Sequence, residues 1–364
     1  MSHPNSSGFL GAIVAGRDSS ATLNRAFWLL GGNGRKLNRE MYNLVSHPSE
    51  LAGDGQRWVL ALGTFDGMHR GHQAVLRELL SMARELSARP AVMFFDPLPR
   101  QVLRPAAPPK LLTSLAEKVH RMHDAGVDAL VRVTFDLPLA GLSPAGFLQK
   151  YFFEVPGFQL AGLCCGEEWR FGARNSGDAA LLKELVAPYG IQVRTVPPVM
   201  FGSEKVSSSR IREAVAEGEL ALAEQMLGRP YVIEGVVEHG AGIASSELHT
   251  PTANLTDESL QLPPYGVYAA YTDLGDGEKL PGIVYIGDAP TIRGVHNGHP
   301  VVELHLFDFQ ENIYSKGIRV TPVEFLRESR VFPSREALQA QIQQDLTVAR
   351  QAFTRLHASV KQEG

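Results

Sequence analysis

Residues that could bind phosphate are concentrated in one stretch of ten. Its sequence is Gly63-Thr64-Phe65-Asp66-Gly67-Met68-His69-Arg70-Gly71-His72. The two histidines are three residues apart, so on a helix they face the same space. Two imidazoles there can donate hydrogen bonds to phosphate oxygens and hold the charge that develops when a phosphoanhydride breaks. The three glycines allow a ligand to approach the backbone closely. The stretch therefore predicts a phosphate-binding turn.

The surrounding sequence supports this interpretation over two alternatives. The apolar run 58–62 precedes the stretch, and apolar residues recur at helical spacing from Val75 to Leu86. This pattern predicts a buried strand that leads into an amphipathic helix, whose free N–H groups favour anions. An incidental histidine pair on a solvated helix is one alternative. A metal site is the other, but it would require a third ligand, and the sequence offers no obvious candidate.

A second segment, 166–178, combines aromatic residues with glycines. Phe171 lies between Gly166 and Gly172 and is followed by Asp178. Such a segment suits a planar ring held beside a backbone turn, although a purely structural turn explains it equally well.

A third segment, Val206-Ser207-Ser208-Ser209-Arg210-Ile211-Arg212, is typical of a helix start. Its serines can cap the helix, and Arg212 can be directed at phosphate together with the free N–H groups. An ordinary capped helix is the alternative.

Composition limits the class of protein. The 364 residues are 44% hydrophobic and 20% charged, and the net charge is only -4, so small molecules are expected as partners rather than nucleic acid or a membrane surface. Cys164 and Cys165 lie in an apolar run, as in a reducing compartment. No apolar stretch is long enough to cross a bilayer and no basic signal region is present, so a cytoplasmic location is expected. The oligomeric state stays open.

The order of patterns predicts two domains. Apolar runs at 58–62, 91–95, 130–135, 160–165 and 191–196 alternate with helical patterns at 114–125, 143–153 and 179–189. This alternation predicts an α/β, Rossmann-like domain with a parallel sheet over 42–227, and ligands bind beyond the carboxyl ends of such strands. Short alternating segments at 231–239, 266–272, 282–286, 301–309 and 318–325 predict a small antiparallel β-barrel domain over 228–357, closed by a helix over 334–356. Residues 1–41 are expected to be a weakly ordered leader, with Met41 as a possible start, and 358–364 a tail.

These motifs in this order resemble a known family. The turn at 63–72 resembles the His-x-Gly-His signature of nucleotidyltransferases. Together with 206–212, Gly228-Arg229-Pro230-Tyr231 and Pro251-Thr252-Ala253-Asn254, it is similar to the prokaryotic bifunctional riboflavin kinase/FMN adenylyltransferases, or FAD synthetases, over about 42–353. The resemblance implies that the first domain makes FAD from FMN and ATP, and that the barrel makes FMN from riboflavin and ATP, both with Mg²⁺.

The resemblance also implies roles for particular residues. In adenylyl transfer the nucleophile is an anionic phosphate oxygen, so the site must align it and stabilise pyrophosphate rather than supply a base. His69, His72, Ser208 and Arg212 are the candidates for this role. The candidates for nucleotide and flavin binding are Gly63, Phe65, Asp66, Gly67, Gly71, Gly166, Phe171, Gly172, Asp178, Ser207 and Ser209.

Kinase chemistry requires a base, because a neutral hydroxyl must lose its proton as it attacks phosphorus. Glu303 matches the base of the family, and Thr252 and Asn254 offer oxygens for Mg²⁺ and phosphate. Considered without the family, Glu303 is a strand surface carboxylate and 251–254 is a turn.

The barrel departs from the family pattern at several positions. Ser246 and Ala289 stand where arginine is usual, and His249 and Ser315 stand where glycine is usual. Loss of one such arginine removes a charge-assisted contact worth roughly 1.5–3 kcal/mol. In the first domain, Leu98 replaces a usual histidine.

Three hypotheses follow: the full bifunctional enzyme, an FMN adenylyltransferase whose barrel only binds flavin or packs, and a non-catalytic flavin-binding regulator. The intact phosphate turn argues against the regulator. An adenylyltransferase for nicotinamide mononucleotide or phosphopantetheine would not account for the barrel.

Overall fold

The structure is a computed structural model that describes residues 42–53, 55–239, 253–255, 259–288, 300–309 and 311–360. The predicted leader, Thr252 and the substituted positions Ser246, His249 and Ala289 lie outside the described residues. Within the described part, no helix is both long and apolar enough to cross a bilayer.

A six-stranded parallel sheet forms the centre of the first part of the chain. Its order is β1-β4-β3-β2-β5-β6, with β1 Leu44–Val45, β2 Arg57–Gly63, β3 Arg89–Phe95, β4 Ala129–Val133, β5 Gln159–Gly166 and β6 Gln192–Val196. Because helices cover both faces, the central strands are nearly continuous apolar runs, and residues 58–62 are almost fully buried. The five predicted strands and the parallel architecture are confirmed. The two-residue strand β1 was not predicted, because two residues are too few to show a hydrophobic pattern.

Helices connect these strands. They are α1 Arg70–Glu85, α2 Pro99–Leu103, α3 Leu115–Asp124, α4 Leu137–Ala140, α5 Pro144–Leu148 with a π-turn at Gln149–Phe153, α6 Ala179–Val186, α7 Ser208–Ala216 and α8 Leu220–Leu227. A short hairpin, β7 Met200–Phe201 with β8 Glu204–Lys205, precedes α7. The apolar stripe of α1 is buried against the sheet, as its spacing predicted.

The second part is a closed antiparallel barrel, as predicted. Its strand order is β10-β13-β12-β11-β14-β9, with β9 Ile233–His239, β10 Ala253–Leu255, β11 Gly266–Asp273, β12 Lys279–Asp288, β13 Pro300–Leu306 and β14 Gly317–Glu328. The strand β10 pairs with both β9 and β13 and so closes the barrel. The end of the 251–254 segment is therefore a strand and not only the turn that its composition suggested.

A long helix, α9 Arg335–Val360, packs on the outside of the barrel. Its residues Ala349, Ala352 and Phe353 are buried against Val267 and Ala269 of β11. Ser334 caps the helix, because its Oγ accepts a hydrogen bond from the N–H of Ala337 (3.3 Å). The predicted closing helix and its cap are confirmed.

One hydrophobic core extends across both parts of the chain. The barrel interior, with Val237 and Tyr268, is continuous with Ile211 of α7 and Met226 of α8. Beside it, Leu111 exchanges backbone hydrogen bonds with residues 259 and 261 (2.8 and 2.7 Å). The barrel therefore lies directly against the elements that follow the phosphate turn.

The buried ion pair between Asp345 and Arg327 should be essential for the packing of α9 on the barrel. Asp345 is almost fully buried and accepts a forked hydrogen bond from Arg327 of β14 (Nη2 to Oδ2, 2.7 Å). Because Asp345→Ala leaves the guanidinium unpaired, we expect the free energy of unfolding to fall by about 3 kcal/mol in urea titrations. Glu324→Ala is the matched control: it removes a more exposed ion-pair partner, that of Arg355, between the same two elements and should leave the urea midpoint nearly unchanged. Equal losses in both variants would contradict this assignment.

Candidate active site

A cleft of about 570 Å³ lies at the carboxyl ends of β2, β3, β5 and β6. It is the place where ligands bind in open parallel sheets. The predicted residues that line it are Gly63, Phe65, Asp66, His69, Gly71, His72, Gly166, Ser207, Ser208, Ser209 and Arg212. The fold thus brings the phosphate turn, the start of the 166–178 segment and the start of α7 to one cleft.

The two histidines stack face to face at its wall. Their ring centroids are 3.7 Å apart with an interplanar angle of 18°. His69 is the N-cap of α1, and its Nδ1 accepts a hydrogen bond from the N–H of His72 (3.3 Å). Because Nδ1 is the acceptor, the ring proton of His69 resides on Nε2, where it can be donated.

Both imidazoles are held in the neutral form. Burial, followed by the charges of Arg229 and Arg212, lowers the pKa of His69 to about 4. Burial, followed by His69 and Lys118, lowers the pKa of His72 well below its usual value. At neutral pH the pair therefore consists of stacked, uncharged hydrogen-bond donors, which can stack closely because they carry no like charges.

The turn that precedes the pair has an unusual backbone. Phe65, Gly67 and Met68 all adopt positive φ (52°, 83° and 44°). A Cβ on Gly67 would approach Leu112 to 2.8 Å, and one on Gly71 would approach the His69 ring to 3.0 Å. The space at these two glycines is thus filled by protein side chains, whereas the sequence analysis assigned it to a ligand.

A buried carboxylate ties the turn to α7. Asp66 is 1% exposed, and its Oδ1 accepts from the N–H of Leu112 (3.0 Å) while Oδ2 pairs with Arg212. Ser208 donates from Oγ to the carbonyl of Asp66 (2.8 Å), and Arg212 donates from Nε to the carbonyl of Lys110 (2.6 Å). Ser208 and Arg212 therefore fix the turn, in addition to lining the cleft.

The remaining serines differ in their contacts. Ser207 is the N-cap of α7, because its Oγ accepts from the N–H of Arg210 (3.3 Å). Ser209 is contacted by Nη1 of Arg100 (3.5 Å). The predicted capped helix start is confirmed, and its N-terminal turn borders the cleft.

The segment 166–178 divides between cleft and core. Trp169 lines the cleft and stacks on Phe171 (centroids 4.8 Å apart, 9° between planes). Phe171 itself is buried in the core, and Gly172 packs on Pro144 so closely that a Cβ would lie 2.7 Å from it. Asp178 caps α6 by accepting from the N–H of Leu181 (3.0 Å). Phe171 therefore supports the wall that Trp169 presents, whereas Gly172 packs on α5 and Asp178 caps α6.

Sequence reasoning did not select several lining residues. Arg100, Trp169 and Lys205 add two cations and one aromatic surface to the cleft. The sequence did contain a signal for Arg100, because this residue follows the carboxyl end of a predicted strand. Leu98, which stands where histidine is usual in the family, is buried and also lines the cleft.

In the barrel, Glu303 lies on β13 with its neighbours Val302 and Leu304 pointing into the interior. Its position alternates with theirs, so it lies on the outer face, opposite Tyr285 on one side and Asn254 on the other. Burial raises the pKa of Glu303. Ser315 has a φ of 63°, the left-handed conformation that glycine adopts readily, which explains why glycine is usual at this position.

Among the described residues, no group of three or more His, Cys, Asp or Glu side chains is placed to hold a metal ion. Asn254 lies on β10, and Thr252 is outside the described residues.

An α/β domain with a phosphate turn at its sheet edge, joined to a small closed β-barrel, defines a nucleotide-dependent transferase with two sites. Residues 52–210 match the family model of FAD synthetase, and residues 227–353 match that of riboflavin kinase. The chain belongs to the family of bifunctional riboflavin kinase/FMN adenylyltransferases.

Relatives match over nearly their whole length. The bifunctional riboflavin kinase/FMN adenylyltransferase of Escherichia coli strain K12 is 35% identical over 319 residues, which cover 87% of this chain and 98% of that protein. The protein of the same description from Bacillus subtilis strain 168 is 33% identical over 316 residues, or 86% and 98% of the two chains. A crystal structure described as a macrolide-efflux protein from Streptococcus pneumoniae superposes with a TM-score of 0.71 at 27% identity, over 85% of this chain and 99% of that one.

The lowered pKa values of the histidines predict a pH-dependent stability. A buried histidine that stays neutral contributes stability above its unfolded pKa of 6.5, and this contribution is lost as the pH falls, down to about 4 for His69. We expect the free energy of unfolding to decrease below pH 6.5 by up to about 1.4 kcal/mol per pH unit for each histidine. Urea unfolding from pH 7 to pH 5 measures this. The double variant His69→Gln, His72→Gln should have a flatter profile than the parent, and identical slopes would refute the assignment.

Proposed function

We propose that this chain makes FAD in two ATP-dependent steps. The barrel phosphorylates riboflavin to FMN, and the cleft of the first domain transfers AMP from ATP to FMN with release of pyrophosphate. The stacked pair His69 and His72, at the edge of a parallel sheet and beside a helix N-terminus, is the observation that supports adenylyl transfer most strongly. Family membership over both domains supports the combination of the two activities.

The cleft has the features that adenylyl transfer requires. The attacking oxygen of FMN is already anionic, so no general base is needed, and the protein must orient the two phosphates and stabilise the departing pyrophosphate. His69 can donate from Nε2, and the N–H groups at the starts of α1 and α7 add further donors. Arg100 supplies positive charge to the cleft, and Lys205 lines it as an ion pair with Glu168.

The neutral state of the histidines suits this task. A triphosphate beside them would raise their pKa values, since negative charge favours the protonated imidazole. Neutral His69 can donate from Nε2 while its Nδ1 still accepts from the N–H of His72, so the pair keeps its arrangement. A free site that carried two adjacent imidazolium ions would be destabilised by their mutual repulsion.

The aromatic wall offers a surface for a planar ring. Trp169 is stacked on the buried Phe171, which fixes its orientation at the cleft. A ring system of the substrate could pack against this surface, in the way aromatic side chains pack on one another. We assign Gly166, Phe171, Gly172 and Asp178 to this loop: Gly166 lines the cleft, Phe171 supports Trp169, and Gly172 and Asp178 hold the loop against α5 and α6.

Glu303 is the proposed base of the kinase. The ribityl hydroxyl of riboflavin is neutral, so a carboxylate must accept its proton as the oxygen attacks the γ-phosphorus of ATP. Burial raises the pKa of Glu303, which makes it a better proton acceptor than an exposed carboxylate. Mg²⁺ would be held largely by the phosphate oxygens of ATP. Asn254, directly opposite Glu303 in the strand register, and Thr252 are the proposed protein ligands.

One observation favours a second candidate, an FMN adenylyltransferase whose barrel lacks kinase activity. Ser315 adopts a φ of 63°, a backbone conformation that is strained for residues other than glycine. Phe65 and Met68 in the turn at 63–72 also adopt positive φ, but that turn retains every residue of the family pattern, whereas Ser315 departs from it. The candidate keeps the first activity and removes the second.

The first experiment separates the two sites. Purified His72→Ala should form no FAD from FMN and Mg²⁺-ATP, since it removes one ring of the stack, while any formation of FMN from riboflavin should continue at the parental rate. Chromatographic separation of the flavins measures both reactions. His120→Ala, on the half-exposed side of α3, is the control and should retain both. Equal loss of both reactions in His72→Ala would contradict the assignment of two separate sites.

The second experiment addresses the barrel. Glu303→Gln should lower FMN formation by about 100-fold or more, because the amide cannot accept the proton. FAD formation from added FMN should be unchanged. Glu278→Gln is the control, because it makes the same change of charge in an exposed turn of the barrel. If Glu303→Gln phosphorylates riboflavin as fast as the parent, Glu303 is not the base. If the parent itself makes FAD but no FMN, the second candidate function is correct.

A further inference from the structure

Side chains from four elements bind the carbonyl oxygens of the phosphate turn. The bonds are Lys118 Nζ to Thr64 O (3.2 Å), Ser208 Oγ to Asp66 O (2.8 Å), Arg229 Nη2 to Gly67 O (3.0 Å) and Gln73 Nε2 to Met68 O (2.9 Å). Backbone carbonyls in a turn with positive φ angles have no partners in regular secondary structure. Two of the four donors are cations that the sequence analysis did not select.

Lys118 is a buried cation without an ion pair among the described residues. It lies on α3 with 4% exposure, and its Nζ is 5.2 Å from the centroid of the Phe94 ring. The carbonyl of Thr64 is the hydrogen-bond partner that the described residues provide. Burial of an ammonium group is costly, so a lysine here requires a compensating role. Its contact places that role at Thr64, the second residue of the turn.

Arg229 approaches the turn from the linker between α8 and β9. Its Nη2 donates to the carbonyl of Gly67, while Nε and Nη1 are buried without hydrogen-bond partners among the described residues. The guanidinium lies in the field of Glu117 of α3 and Glu234 of β9. The side chain that holds Gly67 therefore comes from the segment that joins the two domains.

We propose that Lys118 and Arg229 are positioning residues for adenylyl transfer, which hold the carbonyls of Thr64 and Gly67 so that His69 and His72 face the cleft. Neither side chain is among the residues that line the cleft, so neither touches the substrate. This inference rests on the proposed function of the first domain and deepens it.

The two cations have a second, electrostatic effect on the histidines. The charge of Arg229 acts with that of Arg212 on His69, and the charge of Lys118 acts with His69 on His72, in each case lowering the pKa. Asp66, Asp96 and Arg132 act on Lys118 in turn. Protonation of His69 at Nδ1 would break its bond with the N–H of His72. Removal of Arg229 should therefore move the protonation of His69 to higher pH, and removal of Lys118 should do the same for His72.

The test uses the full-length protein with Lys118→Met and Arg229→Met, which keep the length of the side chain and remove its charge. In FAD formation from FMN and Mg²⁺-ATP, kcat should fall about 10- to 100-fold with a KM close to the parental value, because a displaced donor pair misaligns the phosphates. The acidic limb of the kcat/KM profile should shift to higher pH. Arg229→Lys should recover part of the rate and keep the acidic limb at the parental pH. Lys183→Met, on the exposed side of α6, should behave as the parent.

A measurement without turnover completes the test. Titration of the histidine ring protons by NMR should give a higher pKa for His72 in Lys118→Met and for His69 in Arg229→Met. Parental kcat and parental histidine pKa values in folded variants would overturn the inference. So would a loss of rate accompanied by a lower Tm and an unmoved acidic limb, because that result indicates a purely structural role. A parent protein that forms no FAD would refute the proposed function itself, and the NMR titration would then still decide whether the two cations act on the histidine pair.

Discussion

The phosphate turn can present its N–H groups and its histidine rings to a ligand only if its carbonyl oxygens are satisfied elsewhere. The turn satisfies only the carbonyl of Phe65 within itself, through the N–H of Met68 (3.4 Å), and side chains bind the carbonyls of residues 64, 66, 67 and 68. Side chains of α1, α3, α7 and the interdomain linker supply the missing donors. The geometry of ten residues at the end of β2 therefore depends on elements that are spread over 160 positions of the chain.

The same requirement explains why the barrel lies where it does. Between α3 and β9, burial and the charge of Glu117 raise the pKa of Glu234 well above its usual value. Burial would also raise the pKa of Glu117, but the charges of Arg121, Arg229 and Arg319 oppose it, and the pKa is lowered. Ser114 donates a hydrogen bond to Glu234. A buried network of this kind is stable only when each member is in place, so it fixes the contact between α3 and β9.

The two proposed reactions divide the chain according to what each nucleophile needs. A phosphate oxygen arrives as an anion, and the cleft of the first domain is accordingly rich in N–H groups, imidazoles and cations. A ribityl hydroxyl arrives neutral, and the outer face of the barrel offers a carboxylate whose pKa is raised by burial. The two proposed reactions therefore do not require a shared catalytic group.

The sequence alone determined the parallel sheet, the barrel, the closing helix and the phosphate turn, because each depends on local periodicity or on closely spaced residues. The spacing of three predicted that His69 and His72 face the same space, but the stacking of their rings was seen only in the structure. The sequence could not assign the donors behind the turn: Lys118 and Arg229 are 54 and 162 positions from their carbonyl partners, and a cation carries no signal of which carbonyl it will bind. Nor could it separate Trp169, which faces the cleft, from Phe171, which supports it. Only tertiary packing decides which side of a loop is buried, since this depends on elements such as α5 that reach it from elsewhere in the fold.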